Sequence, residues 1–185
     1  MRFWDKDKLG NKLGKNLKIG ILGGTFDPAH KGHVEISKES KKRFKLNYII
    51  WAITRKNPFK SKSSLNLKSR ISFAKKITKG KKFIKIMFYE KKIKSNKTIN
   101  LINYVKKNNK KLDIYFIMGA DNLINFHKWH KWKNILKKCN IIVFDRKGYR
   151  AKSLKSIAYN QLNKGSFSFV KFKKVNISSS QLRKI

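Results

Sequence analysis

Residues 17–33 read LKIGILGGTFDPAHKGH, and this stretch decides the fold. It opens with an apolar run, turns through Gly23 and Gly24, and reaches two histidines three positions apart, His30 and His33. A buried strand, a glycine turn and a helix start, in that order, form the first unit of a parallel α/β sheet. Glycines let the backbone approach a phosphate closely, and the free amides of a helix start attract an anion. Two histidines on one face of the first helical turn can point at that same anion.

The same alternation of apolar runs and helical segments continues along the chain. The first five runs are rich in apolar residues at consecutive positions, as strands buried on both faces of a sheet should be. Predicted strands occupy 17–22, 47–53, 83–88, 112–118, 140–144 and 167–172, and predicted helices occupy 31–44, 67–78, 98–108 and 131–138. Residues 54–66 read as a long loop after the second strand, at the edge where open sheets bind ligands. The sequence therefore predicts an α/β fold with an open, mainly parallel sheet and helices on both faces.

Length and composition exclude several classes of protein. A chain of 185 residues fits one domain, which we place at 17–185, preceded by a basic, flexible extension at 1–16. No apolar run approaches the roughly 20 residues that span a bilayer, and the first residues lack the apolar stretch and cleavage site of a secretory signal. The single cysteine, Cys139, cannot form an internal disulfide, and its apolar neighbours predict a buried residue rather than a nucleophile. We therefore expect a soluble, cytoplasmic protein.

The net charge of +39 raises the possibility of a nucleic-acid binder, because clustered lysines release counterions from a phosphate backbone. Here the lysines are spread along the whole chain, and asparagine and isoleucine are also abundant, as an AT-rich coding sequence would give without any binding role. We favour that interpretation and predict no specific nucleic-acid partner and no membrane partner. The charge would still attract anionic nucleotides. Monomer and homo-oligomer both remain open.

The motif GGTFDPAHKGH resembles the signature of the HxGH nucleotidyltransferase superfamily, whose fold is a Rossmann-like α/β sheet. The resemblance implies that His30 and His33 hold the phosphates of a nucleotide and stabilise a pentavalent transition state. It also implies an ATP site lined, largely through backbone groups, by Gly23, Gly24, Thr25 and Phe26. For Asp27 two roles stay open: it fixes the turn together with Pro28, or it contacts the mononucleotide.

A second motif lies near the other end of the chain, where residues 177–183 read ISSSQLR. It resembles the ISSTxxR motif that grips the phosphates of ATP. Serine can cap a helix and leave hydroxyl and amide donors available, and an arginine one turn later offers a planar fork for phosphate oxygens. The resemblance therefore implies ATP binding by Ser178, Ser179, Ser180 and Arg183.

The middle of the chain indicates which mononucleotide is used. Residues 117–123 read IMGADNL, and together with Phe126, Trp129 and Trp132 they resemble the nicotinate-nucleotide adenylyltransferases. In that family the tryptophan matching Trp129 stacks on the pyridine ring, as a flat aromatic face suits a flat heterocycle. The alternative is that the three aromatic residues form an apolar helix face by their three-residue spacing.

The same resemblance assigns further binding residues. It places Gly119, Asp121 and Arg146 at the ATP site, and Lys56, Thr98 and His130 at the mononucleotide site. One departure affects Thr98: Lys97 stands before it where the family usually has a tyrosine. For the phosphate contact, Lys60 is an alternative to Lys56. His127 and His130 are three apart, but no cysteine or carboxylate set completes a zinc site, so no protein metal site is expected.

Together these features imply that the phosphate of nicotinate mononucleotide attacks the α-phosphorus of ATP and releases pyrophosphate. Mg²⁺ is the expected cofactor, bound mainly through ATP oxygens and water. One alternative is an adenylyltransferase for nicotinamide mononucleotide or pantetheine phosphate. The pantetheine-phosphate enzyme usually has threonine at the position of His30 and lacks the segment around Asp121. The alternative from a different class is a basic nucleic-acid-binding protein.

Overall fold

The computed structural model of the chain describes residues 17–56, 63–107, 111–161 and 164–171. Within these residues, six strands form one sheet in the order β3-β2-β1-β4-β5-β6, and all five pairings are parallel. The strands are β1 (Leu17–Gly24), β2 (Tyr48–Ile53), β3 (Ile84–Met87), β4 (Leu112–Gly119), β5 (Asn140–Phe144) and β6 (Phe167–Val170). All six predicted strands are thus confirmed: the bounds of β5 agree with the prediction, and those of the other strands shift by at most two residues.

The order of the strands creates a switch point in the middle of the sheet. From β1 the chain moves outward to β3, then returns to place β4 on the other side of β1 and continues outward to β6. The connections leaving β1 and β4 therefore diverge, and open parallel sheets bind ligands in the crevice at such a switch point. We call the edge formed by the ends of β1, β2, β4 and β5 the carboxyl edge.

The helices cover both faces of the sheet. In the described residues they are α1 (Lys31–Phe44), α2 (Leu67–Ile77), α3 (Glu90–Ile93), α4 (Thr98–Lys107), α5 (Ala120–Ile124), α6 (Trp132–Leu136), α7 (Arg150–Leu154) and α8 (Ile157–Asn160), with 3₁₀ turns at Phe126–Lys128 and Lys164–Ser166. The four predicted helices are confirmed as α1, α2, α4 and α6. The predicted start of α6 is one residue early because Lys131 has a φ of 51°, which a helix does not accommodate.

Alternate side chains of each strand pack into two separate hydrophobic cores, one on each face of the sheet. On one face Ile21 and Ile114 pack with the apolar residues of α4, and on the other Trp51 packs with Val34 of α1 and Ala74 of α2. Fully burying an isoleucine contributes roughly 1.5–3 kcal/mol. These two cores hold the six strand ends, and with them the carboxyl edge, in fixed positions.

A glycine inside β1 lets the second core close. A Cβ atom at Gly20 would lie 2.6 Å from Cδ1 of Ile49 and 2.8 Å from Cδ1 of Ile117. Both distances are shorter than real Cβ contacts, so the Ile49 and Ile117 side chains fill the space that a side chain at position 20 would take. None of the helices in the described residues is long and apolar enough to cross a bilayer.

The end of α1 generates a stability prediction. Lys45 ends this helix in the left-handed region with a φ of 52° and donates its N–H to the Lys41 carbonyl. Glycine adopts that conformation without the roughly 1–2 kcal/mol that a side chain costs, but it loses about 0.5–1 kcal/mol through unfolded-state entropy. We expect Lys45→Gly to raise the free energy of unfolding by about 0.5–1 kcal/mol, measured by urea denaturation.

Lys42→Gly is the matched control because it makes the same change three residues earlier, inside the helix. There it should lower the free energy of unfolding by about 0.5–1 kcal/mol. Equal destabilisation by both substitutions would contradict the left-handed conformation of Lys45.

Candidate active site

The two predicted catalytic histidines lie together where α1 begins at the carboxyl edge. His30 Nδ1 accepts a hydrogen bond from the Gly32 N–H at 3.1 Å, and His33 Nδ1 accepts one from the His30 N–H at 3.2 Å. The ring centroids are 3.9 Å apart. Because each Nδ1 acts as an acceptor, each neutral ring carries its proton on Nε2, on the opposite side of the ring. This reciprocal capping fixes the tautomer and makes Nε2–H the hydrogen-bond donor of both histidines.

The buried rings of Phe26 and Trp51 pack against the His33 ring. The Phe26 ring lies 4.8 Å from both the His33 ring and the Trp51 ring, and it stacks on the indole at 15°. The Trp51 Nε1–H donates to Ser37 Oγ at 2.8 Å, and the Ser37 hydroxyl donates to the His33 carbonyl at 2.8 Å. Trp51 and Ser37 are fully buried, so the second core reaches directly to the catalytic pair.

The environment of His30 keeps its ring uncharged. Burial, and to a smaller extent the positive charge of Arg146, together lower its pKa to about 4. At neutral pH the ring is therefore neutral in the protein without ligand. As the pH falls below 6.5, the ordinary pKa, the unfolded chain takes up the proton first, so this group removes stability between about pH 6.5 and 4.

Asp27 anchors the turn before the histidines. Its carboxylate is 2% exposed, and its oxygens accept the backbone N–H groups of Ser64 and Leu65 at 2.8 and 2.9 Å. The described part of the loop after β2 is thus tied to the glycine turn after β1. This geometry gives Asp27 a role in fixing the two loops, and its contact with the mononucleotide stays a prediction.

The predicted ATP residues after β4 and β5 lie against each other. Arg146 Nη1 contacts Asp121 Oδ2 at 2.7 Å, which links the ends of the two strands. A Cβ atom at Gly119 would lie 2.5 Å from Asp121 Oδ1, so this position of the carboxylate requires glycine there. The charge of Arg146 also lowers the pKa of His30. Arg146 therefore links this part of the predicted ATP site electrostatically to the predicted catalytic pair.

The predicted mononucleotide residues other than Asp27 lie in three connections of the sheet: Lys56 follows β2, Thr98 lies between β3 and β4, and Trp129 and His130 lie between β4 and β5. Trp129 is half-buried and packs edge-on against Phe116 at 5.7 Å and Phe126 at 5.2 Å. The apolar cluster of the alternative interpretation is therefore present, while part of the indole stays accessible. Thr98 is the partly exposed first residue of α4, and His130 and Lys56 are exposed.

Several predicted groups fall outside the described residues. These are the extension at 1–16, the alternative phosphate contact Lys60, and the second ATP motif with Ser178, Ser179, Ser180 and Arg183. The boundary of the proposed domain at 17–185 is not decided by the described ranges. In those ranges, no group of three or more His, Cys, Asp or Glu side chains could hold a metal ion.

Comparison with known proteins identifies the family. The sequence model of the cytidylyltransferase-like family matches residues 21–185. A protein of Pelagibacter ubique, named as a probable nicotinate-nucleotide adenylyltransferase, is 70% identical over 171 residues, which are 92% of this chain and 94% of that protein. A protein of the same name from Agrobacterium fabrum is 36% identical, over 71% of each chain.

The chain belongs to the nicotinate-nucleotide adenylyltransferase family. It is therefore a nucleotidyltransferase, as the histidine motif predicted. Membership of this family decides against the pantetheine-phosphate enzyme and against a nucleic-acid binder as the main identity of the chain.

The fold agrees with this assignment. The nicotinic acid mononucleotide adenylyltransferase of Plasmodium falciparum superposes with a TM-score of 0.72 over 91% of this chain and 83% of that protein, at 20% sequence identity. An adenylyltransferase structure from Vibrio parahaemolyticus superposes with a TM-score of 0.63 over 91% and 85% of the two chains, at 19% identity. At such identities the likeness concerns the fold, which is confirmed as Rossmann-like.

Sequence reasoning missed three residues that support this adenylyltransferase site: Arg70, Trp51 and Ser37. A signal for Arg70 was present, because Leu67, Ile71 and Ala74 recur at helical spacing around it and place the arginine on the apolar face of α2. An arginine in that position is buried only when its donors find partners. Neither Trp51 nor Ser37 carries a comparable local signal.

The electrostatic contact between Arg146 and His30 can be tested by titration. We expect Arg146→Gln to raise the pKa of His30 from about 4, because a positive charge that disfavours imidazolium is removed. The rise should shrink with added salt, since Arg146 is 41% exposed. The measurement is the pH dependence of the His30 ring resonances by NMR, in the protein without ligand.

Arg150→Gln serves as the matched control. Arg150 begins α7, four residues after Arg146, and pairs with Asp145. The same change in charge at this position should leave the pKa of His30 unchanged. Equal shifts in the two variants would mean that general surface charge, rather than Arg146, acts on His30.

Proposed function

We propose that this chain transfers the adenylyl group of ATP to nicotinate mononucleotide, giving nicotinate adenine dinucleotide and pyrophosphate. The observation that carries the proposal is the capped pair of His30 and His33, which presents two Nε2–H donors beside a glycine turn. Family membership supports the choice of acceptor. The Plasmodium falciparum relative was obtained in complex with NaAD, which is in keeping with the same product here.

The proposed reaction needs no protein nucleophile. A phosphate monoester with a second pKa of about 6 is largely dianionic at neutral pH, so its oxygen can attack the α-phosphorus directly. The new oxygen–phosphorus bond forms as the bond to the bridging oxygen breaks, and pyrophosphate leaves with that electron pair. Since both reactants are anions, the protein contributes mainly by holding them in line and by stabilising the charge of the transition state.

Neutral histidines suit this task. With the proton on Nε2, His30 and His33 donate to phosphate oxygens without first having to be protonated. As negative charge collects on those oxygens, each imidazole is polarised, and the low pKa of His30 should rise when phosphate binds. Arg146 and Arg183 would add positive charge around the triphosphate, and the serines of the second motif would add neutral hydrogen-bond donors.

The acceptor side is proposed to recognise the pyridine ring and its carboxylate. The accessible part of Trp129 would stack on the ring, with His130 beside it. Thr98 opens α4, a helix of ten residues, and the amides at that helix start favour a carboxylate over a neutral amide. Lys56 would meet the phosphate of the mononucleotide. This arrangement predicts a preference for nicotinate over nicotinamide mononucleotide.

Mg²⁺ is proposed to arrive with ATP. A cation bound to phosphate oxygens and water needs few protein ligands, and the described residues fit such a mode because they assemble no carboxylate cage. The ion would neutralise part of the triphosphate charge. We further propose that the reaction takes place in the cytoplasm, where the single thiol of Cys139 would stay reduced.

The catalytic pair is tested by pyrophosphate release with ATP, Mg²⁺ and each of three acceptors: nicotinate mononucleotide, nicotinamide mononucleotide and pantetheine phosphate. We expect the first to be used most efficiently. His30→Ala and His33→Ala should each lower kcat by about 10²–10³, the usual loss for one transition-state donor. Circular dichroism and thermal unfolding establish that the variants are folded. Unchanged rates in folded variants would rule out the catalytic assignment.

The stacking role is tested by Trp129→Ala. Loss of one stacked ring, worth roughly 1–3 kcal/mol, should raise KM for nicotinate mononucleotide about 10-fold or more while KM for ATP changes little. Trp132→Ala is the matched control, because it removes an indole from the same aromatic cluster, 6.1 Å from Phe126. If both variants raise KM equally, Trp129 acts through packing alone.

A further inference from the structure

Arg70 is a buried arginine that contacts both loops beside the catalytic pair. It lies on α2 and is 2% exposed. Its Nη1 donates to the carbonyls of Thr25 at 2.6 Å and Thr54 at 2.7 Å, and its Nη2 donates to the Arg55 carbonyl at 3.2 Å. Its Nε donates to the Leu65 carbonyl at 3.1 Å. One guanidinium therefore joins the glycine turn after β1 to both ends of the loop after β2.

Burying this charge is costly, and the structure offsets the cost in a specific way. A buried guanidinium costs several kcal/mol unless its donors are satisfied. The four bonds to Arg70 all end on backbone carbonyls, while the carboxylates of Asp27 and Glu90 act on it through space. An apolar side chain could fill this buried position without the cost of burying a charge. We therefore expect the function of Arg70 to lie in the two loops whose carbonyls it binds.

The contact with Thr25 sets the direction of a peptide group in the phosphate motif. In a trans peptide the carbonyl and the following N–H point in opposite directions. Because the Thr25 carbonyl is held towards Arg70, the Phe26 N–H is held away from it. Phe26 has a φ of 49°, an uncommon conformation for a bulky residue, and its nitrogen would lie 3.9 Å from a Cβ at Gly24. The amide thus lies beside the glycine turn.

The carboxylates around Arg70 hold the same loops through amide groups. Asp27 accepts the N–H groups of Ser64 and Leu65, next to the carbonyl that Arg70 Nε contacts. Glu90 Oε1 accepts a hydrogen bond from the Arg55 N–H at 3.1 Å, and Arg70 Nη2 donates one to the Arg55 carbonyl. The loop backbone is therefore fixed by both its donors and its acceptors.

We propose that Arg70 is a positioning residue for adenylyl transfer, which acts by orienting the Thr25–Phe26 peptide so that the Phe26 N–H binds a phosphate oxygen of ATP. The proposal rests on the proposed function, since it assigns a role within the same site. Arg70 does not touch the reacting atoms itself. Its effect passes through the Thr25 carbonyl to the amide of the next residue.

The test compares Arg70→Lys and Arg70→Gln with wild type. Lysine keeps the charge, but its single ammonium group cannot reach carbonyls of both loops in the planar geometry of arginine. We expect kcat of Arg70→Lys to fall about 10- to 100-fold, somewhat less than the loss of a whole donor. KM for nicotinate mononucleotide should stay within about threefold. Arg43→Lys and Arg43→Gln are the controls, because they change an exposed arginine of α1 and should leave kcat unchanged.

A second measurement does not depend on turnover. In wild type, pyrophosphate should shift the Phe26 amide resonance in ¹H–¹⁵N spectra, and in Arg70→Lys that shift should be lost although the protein is folded. This readout separates the two proposals: wild type that binds pyrophosphate in this way but forms no dinucleotide would sink the proposed function alone.

Three results would overturn the positioning role. The first is a folded Arg70→Lys protein with lower thermal stability but unchanged kcat. The second is a Phe26 amide that responds to pyrophosphate equally in both proteins. The third is failure of Arg70→Lys to fold, which would make Arg70 a purely structural residue.

Discussion

The reciprocal hydrogen bonds between His30 and His33 are the interaction on which the site depends. Each histidine gives its Nδ1 lone pair to a backbone amide at the start of α1. The same two bonds therefore cap the helix, fix the tautomer of both rings and leave Nε2–H as the donor. Helix formation and catalytic geometry are thus coupled, because the helix cannot begin elsewhere without also reorienting the donors.

The sequence predicted the strands of the sheet but few of the contacts that hold the loops of the candidate site in place. Strands were recognised because each is a continuous apolar run, and the boundaries of α1 were predicted correctly because its histidine cap and apolar periodicity coincide. The helices α3, α5, α7 and α8 were missed, since four or five residues are too few to show a clear helical period, and α6 was predicted longer than its five residues. Apart from the bond between Arg70 and the Leu65 carbonyl, the contacts of Asp27 and Arg70 join residues 15 to 45 positions apart, so no local pattern could reveal those partners.

Trp129 shows why two interpretations of one residue need not compete. Its edge-on contacts with Phe116 and Phe126 give the indole a fixed position in the apolar cluster. A ring held in this way loses little conformational entropy when a ligand stacks on its accessible part. The packing that explains the aromatic spacing in the sequence is therefore also what would make Trp129 an effective surface for a pyridine ring.

The few acidic residues explain how a chain of charge +39 keeps a defined phosphate site. Four of the nine lie shortly after the ends of β1, β3, β4 and β5; these are Asp27, Glu90, Asp121 and Asp145. Each is engaged by backbone amides or by a guanidinium. Carboxylates beside an anionic substrate would repel it, and the guanidinium groups of Arg146 and Arg150 offset that charge at Asp121 and Asp145. Asp27 and Glu90 instead accept backbone amides, and the positive charge of Arg70 lies near both. These pairings therefore hold the loops and weaken the repulsion at the same time.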